Sequence, residues 1–518
     1  MVVLYHQNNR VTKISTPTNE IISGDTYKSI ASGMMTFAQQ FPKSKIVWCH
    51  EKLQGAINFE GINTLFHHDK LMLSFTFDEN GYLGKKIGFV EESPFINVNK
   101  KVSYPTWLMS SDVGVIHASV LNLVEGKIKL DAHFDYYLNS VAKVCMFLGL
   151  LCYSEPQLLL KNIGCATSKK ANVYELFRFV KQHYKNRWTV LLLLNLLVFE
   201  KRFPLLPFIY AQFFKSRKQT DLSLDSIAVQ STLRKVEHKT IDVVIPTIGR
   251  KKYLYDVLQD LSKQTHLPVH VIIVEQNPNP ESSSELDFLT SQAWPFNIKH
   301  TFTHQAGACH ARNLALRQVE SEWVFLADDD IGFDTLFFSN TLCKIEQFGI
   351  EVITTSCLQL NESQRYTITN QSGIFGSGNS LVKTSCLTTI RFDTALEFGY
   401  GEDIDFGLQL RNQGFDILYL PEIRIVHLKA PMGGFRIKVK QVWDDEIIPP
   451  KPSPTVMYVF LKYYTREQLL CYKLVSFLKL IKKVSVFNYI DFLKFFNKKW
   501  DSSLYWANRI KEKNENKY

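Results

Sequence analysis

Apolar positions along this chain follow two rhythms. Short continuous runs at 45–49, 71–75, 87–90 and 113–116 read as buried strands, as do 241–245, 269–274 and 324–327. Between them lie stretches whose apolar residues recur at helical spacing. A helical run opens at Phe134 and ends near Tyr153; Leu176, Phe179, Val180, His183 and Tyr184 mark helices within 170–214; a further helix is expected over 253–264. Strand, helix and strand in succession over 241–274 predict a βαβ unit, hence a parallel sheet with a right-handed crossover. Ligands of such sheets bind beyond the carboxyl ends of the strands. Arg250, Glu275 and Asp328 all stand at such ends and should share one rim.

These rhythms divide the 518 residues into four parts. Residues 1–155 are expected to form an α/β accessory domain. Residues 156–238 are expected to be helical and to finish in a polar linker from Lys215-Ser216-Arg217-Lys218-Gln219-Thr220 onward. Residues 239–435 carry the βαβ pattern of a second α/β domain, and 436–518 read as basic helices.

Composition narrows the class. The hydrophobic content of 45% is that of a globular protein, and nine scattered cysteines without a CxxC pair argue for a reducing compartment and against a zinc site. No secretory h-region is visible in 1–17. The most apolar stretch, 190–199, is too short to span a bilayer and reads as a buried helix. The location expected is therefore cytoplasmic, at most peripheral on the inner face of a membrane. Charge sharpens that last point. Residues 436–518 hold 17 Lys+Arg against 8 Asp+Glu, nearly all of the net +10. Alternating basic and apolar residues, as in the run Tyr472–Lys483, suit solvated helices packed on the second α/β domain or helices touching an anionic membrane surface. No nucleic-acid partner is expected.

The strand at 324–327 runs into Asp328-Asp329-Asp330. Three adjacent carboxylates repel one another unless positive charge sits among them. Hard cations such as Mg²⁺ or Mn²⁺ take oxygen ligands, often one or two carboxylates plus substrate phosphates. Three other segments accompany the triplet in order: Ile245-Pro246-Thr247-Ile248-Gly249-Arg250, then Ala311-Arg312-Asn313 at the start of a helix, and later Gly401-Glu402-Asp403-Ile404-Asp405 opening another helix. A strand with Pro421 then ends at His427.

In this order and spacing the four segments resemble the inverting family 2 glycosyltransferases of the GT-A fold, over about residues 240–430. The resemblance implies a Rossmann-like, mostly parallel sheet flanked by helices and a metal-dependent sugar transfer from a nucleotide-sugar to a saccharide or lipid-linked acceptor. Such transfers serve cell-surface polysaccharide or glycoconjugate synthesis. It assigns Mn²⁺ or Mg²⁺ to Asp328, Asp330 and His427, and the donor to Pro246, Thr247, Arg250, Glu275, Arg312, Asp328 and Asp329. It makes Asp403 the general base, with Glu402 beside it binding acceptor or orienting the loop. The family commonly has Asp where this chain has Glu275, which leaves the nucleotide base open. The strands of the N-terminal part, with Asp112 at a strand end, resemble a degenerate unit of the same type lacking the aspartate cluster, so a tandem with one active copy is expected.

Two other readings remain at this level. A sugar-phosphate nucleotidyltransferase shares the strand-aspartate layout but would want a Gly-rich loop with a lysine after the first strand. A non-catalytic carbohydrate-binding scaffold would not need the Glu402-Asp403 helix.

Overall fold

Two sheets organise the chain in a computed structural model that describes residues 1–18, 20–24, 27–161, 169–218, 221–431, 439–482 and 488–515. Gln219 and Thr220 of the expected linker, Lys483 of the basic run and the division expected at 435/436 lie outside the described residues. Contacts group the chain into one unit of residues 1–233 with 465–475 and a second of 234–464 with 476–518.

Among the described residues the first unit holds eight strands. They are β1 (Val2–Gln7), β2 (Arg10–Ser15), β3 (Ile21–Ser23), β4 (Lys45–His50), β5 (Leu71–Phe75), β6 (Tyr104–Pro105), β7 (Val113–His117) and β8 (Leu151–Ser154). Their order in the sheet is β3-β2-β1-β4-β7-β5-β8-β6. The run at 87–90, expected as a strand, is instead a 3₁₀ turn, Lys85–Phe89. It is buried by Ile87 and Phe89 but has no strand neighbour, and burial without pairing makes no sheet. The helical run from Phe134 stops at Cys145; a 3₁₀ turn then ends at Gly149 in the left-handed region (φ 90°), and β8 follows. In the segment read as a linker, Leu222 and Leu224 are buried in this unit's core and Arg217 forms an ion pair with Asp131 at 2.6 Å.

Among the described residues the second unit holds nine strands. They are β9 (Ile241–Thr247), β10 (His270–Gln276), β11 (Asn297–Thr303), β12 (Trp323–Ala327), β13 (Ile331–Phe333), β14 (Val352–Leu358), β15 (Asn370–Gln371), β16 (Asn379–Lys383) and β17 (Leu418–His427). The order is β11-β10-β9-β12-β16-β14-β17-β13, with β15 pairing β17. β9, β10, β11 and β12 are parallel, as the βαβ pattern predicts, with the helix Lys251–Ser262 as first crossover. Both faces of β9 are covered, so Val243, Val244 and Ile245 are all buried. Asp242, inside that strand, is held by Ser321 Oγ (2.6 Å), the Glu320 N–H (2.7 Å) and His270 (2.9 Å). Burial would raise its pKa, but these bonds outweigh burial and hold it below the usual carboxylate range.

The same sequence of strand senses runs through both sheets. β1–β4 and β9–β12 are parallel; β4–β7 and β12–β16 are antiparallel, as are β7–β5 and β16–β14. β5–β8 and β14–β17 are parallel, and the last pairs, β8–β6 and β17–β13, are antiparallel again. Unlike β10, β2 runs antiparallel to its neighbour, because β1 and β2 are joined by a hairpin turn at Asn8-Asn9 rather than a helix. No described helix is long and apolar enough to cross a membrane.

Candidate active site

Beyond the carboxyl ends of β9 and β12 opens a pocket of about 400 Å³. Six carboxylates line it, Asp328, Asp329, Asp330, Glu397, Glu402 and Asp403, together with Arg250, Arg312 and His427. Residues separated by as much as 181 positions meet here because three parallel strands end on the same rim.

The aspartate triplet is not three equal groups. Asp328 accepts a hydrogen bond from Arg312 Nη2 at 2.8 Å and is the most exposed of the three. Asp329 turns inward, accepting from Thr247 Oγ1 (2.7 Å) and Arg250 Nη1 (2.5 Å). Burial pushes its pKa up to about 6, against the pull of Arg250. Asp330 lies beside His427, with 3.4 Å between Oδ1 and Nε2, and accepts from the Ala430 N–H at 2.8 Å. Burial would raise its pKa, but the bonds from His427 and Ala430 hold it down. His427 gets there through the sheet, since β13 pairs with β17 in a register that sets Ile331 against His427. Its hydrogen bond with Asp330 raises its pKa above the usual histidine value.

Close approach is built in at Gly378. A Cβ there would meet Asp328 Oδ2 at 2.1 Å, so only glycine leaves room for that carboxylate. Gly401, the residue before the helix Glu402–Asn412, has φ 111°, which L side chains rarely adopt. That turn aims Glu402 and Asp403 into the pocket from the helix N-terminus, where the macrodipole favours carboxylates. Ser377 Oγ donates to Asp403. Burial raises the Asp403 pKa, opposed by Arg312 and Ser377, and burial together with the neighbouring Asp403 charge pushes Glu402 up to about 7. Arg312 is buried and its charge acts on Asp328, Asp403 and Glu402, while its Nε has no hydrogen-bond partner among the described residues.

Of the residues expected from sequence, Pro246, Thr247, Arg250, Arg312, the triplet, Glu402, Asp403 and His427 line the pocket. Glu275 does not. Strand alternation turns its side chain toward β11, where it meets His300 at 3.0 Å and accepts from the Glu285 N–H at 3.2 Å. Its neighbour Gln276 faces the pocket and accepts from the Gly307 N–H at 2.6 Å. Sequence reasoning also missed Glu397, which accepts from the N–H groups of Cys309 (3.0 Å) and His310 (2.9 Å) and so caps the helix Ala308–Leu316 that carries Arg312. It lies 88 residues from the groups it caps, so no local signal marks it.

Do these groups suit a divalent cation? Asp328, Asp330 and His427 offer oxygen and imidazole donors of the kind Mn²⁺ or Mg²⁺ accepts, in a pocket where carboxylates outnumber arginines. Among the described residues no group of three or more His, Cys, Asp or Glu side chains is placed to hold a metal ion by itself. Two carboxylates and an open face fit an ion whose remaining ligands are substrate phosphates and water.

The first unit offers a direct comparison. In the β4–β7 pair the His50 N–H donates to the carbonyl of Asp112; in β12–β16 the Asp328 N–H donates to that of Gly378. Matched on this bond, His50, Glu51 and Lys52 stand where Asp328, Asp329 and Asp330 do, and Ser111 stands where Ser377 does. Asp135, second residue of the helix Phe134–Cys145, matches Asp403, second residue of its own helix. Ser111 bonds it through both N–H and Oγ at 2.8 Å. Asp135 and Asp112 are buried, at 3% and 0% exposure.

Residues 242–382 match the family model described as glycosyl transferase family 2. Among curated proteins, "Glycosyltransferase GlyG" of Streptococcus pneumoniae serotype 4 is 26% identical over 90 residues, which is 17% of this chain and 30% of that protein. The chain thus spans under a third of the curated relative it matches. Among solved structures, S. aureus TarS 1-349 in complex with UDP-GlcNAc is 17% identical with a TM-score of 0.36, over 53% of this chain and 89% of that one. Another structure of TarS 1-349 is 20% identical with a TM-score of 0.31, over 36% and 59%.

Proposed function

From the family 2 glycosyltransferase domain of GT-A type that this chain carries at residues 242–382, we propose that the protein transfers a sugar from a nucleotide-sugar donor to a saccharide or lipid-linked acceptor with inversion at the anomeric carbon. The product would belong to a cell-surface polysaccharide or glycoconjugate. The observation that carries this reading is one pocket lined by the neighbouring carboxylates of Asp328 and Asp330 and by a separate buried carboxylate, Asp403.

Transfer forms a bond between the acceptor oxygen and the anomeric carbon, breaks the bond from that carbon to the diphosphate, and moves the hydroxyl proton to a base. Asp403 takes that proton: it is the buried carboxylate aimed inward from a helix start, and its raised pKa makes it a better acceptor than an ordinary aspartate. With no second carboxylate assigned as nucleophile, the displacement is direct and the configuration inverts. Arg312, buried between Asp328 and Asp403, sets positive charge beside the departing diphosphate and keeps the two carboxylates from repelling one another. Arg250 and Thr247 fix Asp329 and thereby hold the turn that presents Asp328 and Asp330. Mn²⁺ or Mg²⁺, when bound at Asp328, Asp330 and His427, would supply Lewis-acid neutralisation of the diphosphate charge. Residues 1–155 are read as an accessory, non-catalytic copy of the fold, since His50, Glu51 and Lys52 replace the triplet.

The test is release of nucleoside diphosphate by the purified chain with Mn²⁺ and a panel of nucleotide-sugars and acceptors. Release that depends on Asp403 supports the reading. No release with any donor, or a rate unchanged by Asp403→Asn, would overturn it; release of pyrophosphate from a sugar phosphate and a nucleoside triphosphate would point to nucleotidyl transfer instead.

A further inference from the structure

Two consecutive helices of the first unit, Arg187–Glu200 and Leu205–Gln212, are apolar on both faces. One face is accounted for: Leu192, Leu193 and Leu196 of the first helix and Ala211 of the second lie in the core. The other face is as apolar as the first and lies open. Val190, Leu197 and Val198 recur at helical spacing along it, and in the second helix and its C-terminal end Leu206, Ile209 and Phe213 are exposed as well, Leu206 at 69% and Phe213 at 82%. A helix at a water-facing surface carries polar residues on its outer side; one that is apolar all round is normally enclosed. Exposed apolar residues clustered on two consecutive helices mark a contact surface.

Charge identifies the occupant. From 185 to 218 the chain has seven Lys+Arg and one acidic residue. The lone Glu200 is neutralised by Lys86 at 2.7 Å, and of the cations only Arg217 is buried, against Asp131. Arg202 and Lys215 bracket the second helix at its two ends and are exposed. An apolar face edged by cations complements a bilayer surface with anionic headgroups. A second copy of this chain meeting the patch about a two-fold axis would set these cations against their own images. The first helix has 14 residues, about 21 Å against the roughly 30 Å of a bilayer core, so it would lie in the interface rather than cross it.

We propose that the outer face of helices Arg187–Glu200 and Leu205–Gln212 is a monotopic docking surface for an anionic phospholipid membrane. Leu206 and Phe213 enter the acyl boundary to a depth of about 5–10 Å, and Arg202 and Lys215 meet phosphate groups at its edge. The assignment does not depend on the transferase reading.

Sedimentation of the full chain with vesicles tests it. The chain should pellet with vesicles of phosphatidylcholine containing about 30 mol% phosphatidylglycerol and far less with phosphatidylcholine alone. About 0.5 M NaCl, which shortens screening to about 4 Å, should weaken the anionic preference. Leu206→Ser with Phe213→Ser should lower the partition coefficient at least about tenfold, and Arg202→Gln with Lys215→Gln should abolish the preference for phosphatidylglycerol. Neither pair touches the pocket, so transfer to a water-soluble acceptor should be unchanged, and unchanged melting would show that the fold survives. Absence of pelleting on both vesicles, or pelleting that survives both pairs, overturns the proposal. Pelleting lost only with Ile490→Ser and Lys494→Gln would place the contact on the C-terminal helix Tyr489–Glu515 and overturn it equally. A dimer in light scattering that the Leu206/Phe213 pair abolishes, without vesicle binding, would make a second copy the occupant.

Discussion

The hydroxyl of Ser377 donates a hydrogen bond to the carboxylate of Asp403. Those two residues are 26 positions apart and reach each other because β16 begins beside the N-terminus of the helix Glu402–Asn412. The bond favours the ionised form of a carboxyl that burial drives toward the neutral one. Asp403→Asn should lower kcat/KM by about 10²–10⁴ while leaving donor KM nearly unchanged, as expected for a group used only in the transition state. Ser377→Ala should move the acidic limb of the pH–rate profile to higher pH, a shift that a purely structural role for the hydroxyl would not produce.

The Glu402–Asp403 pair should set opposite pH trends for activity and stability. Glu402 rises from 4.5 to about 7, through burial first and repulsion from Asp403 second. A carboxyl whose folded pKa exceeds its unfolded value binds more protons folded than unfolded, so its contribution to stability falls as pH climbs from about 4.5 through about 7. The base must be ionised, so kcat/KM should rise over the upper part of the same window, with an apparent pKa that belongs to the pair. Urea midpoints across that range should fall less steeply for Glu402→Gln than for the unaltered chain; an equal slope in both would refute the assignment.

Gly378→Ala probes the approach of the strand to Asp328. The added Cβ would lie 2.1 Å from Oδ2, so the carboxylate must leave its present position. Mn²⁺ affinity read by electron paramagnetic resonance should weaken by about tenfold or more, with nucleoside diphosphate release falling in parallel.

Chelation should reduce transfer to background, and added Mn²⁺ should restore it. Asp330→Asn should raise the Mn²⁺ needed for half-maximal rate by at least about tenfold. Asp329→Asn should act differently, through loss of its bonds to Arg250 and Thr247, lowering the melting temperature as well as the rate.

The first unit makes the contrasting case. Asp135 repeats the place and the serine bond of Asp403, and burial raises its pKa to about 7, yet it does not line the pocket. Asp135→Asn should leave transfer within about twofold of the unaltered rate, a change no larger than roughly 0.4 kcal/mol in the barrier. A loss comparable to that of Asp403→Asn would mean that the first unit takes part in the chemistry.

Much of the second unit could be read from local pattern. The runs at 241–245 and 324–327 are buried on both faces and flank a helix-period stretch, and the order of the motifs placed Asp328, Arg312 and Asp403 in one site. Periodicity failed at Lys85–Phe89, where an apolar run is buried without a strand to pair with, and at the end of the helix Phe134–Cys145, where a left-handed Gly149 turns the chain. Glu275 shows the limit at one residue. A carboxylate at a strand end looks like a ligand, but which side of the sheet it faces depends on register, and register put Gln276 on the pocket side.

By itself the sequence determined the chemistry available to this protein: an acidic triplet after a buried strand, an arginine in the helix before it and a carboxylate at a later helix start. Tertiary structure decided the division of labour. Asp329 is occupied by Arg250 and Thr247, Asp330 shares His427 through the β13–β17 register, and Glu397 caps a helix 88 residues away. It also decided that the helix over 190–199, apolar enough to be read as buried, would leave one face outside the core. The reason is the same in each case. Residue type and spacing fix what a side chain can do, whereas its partners come from strands and helices brought together by long-range packing, whose register no local stretch encodes.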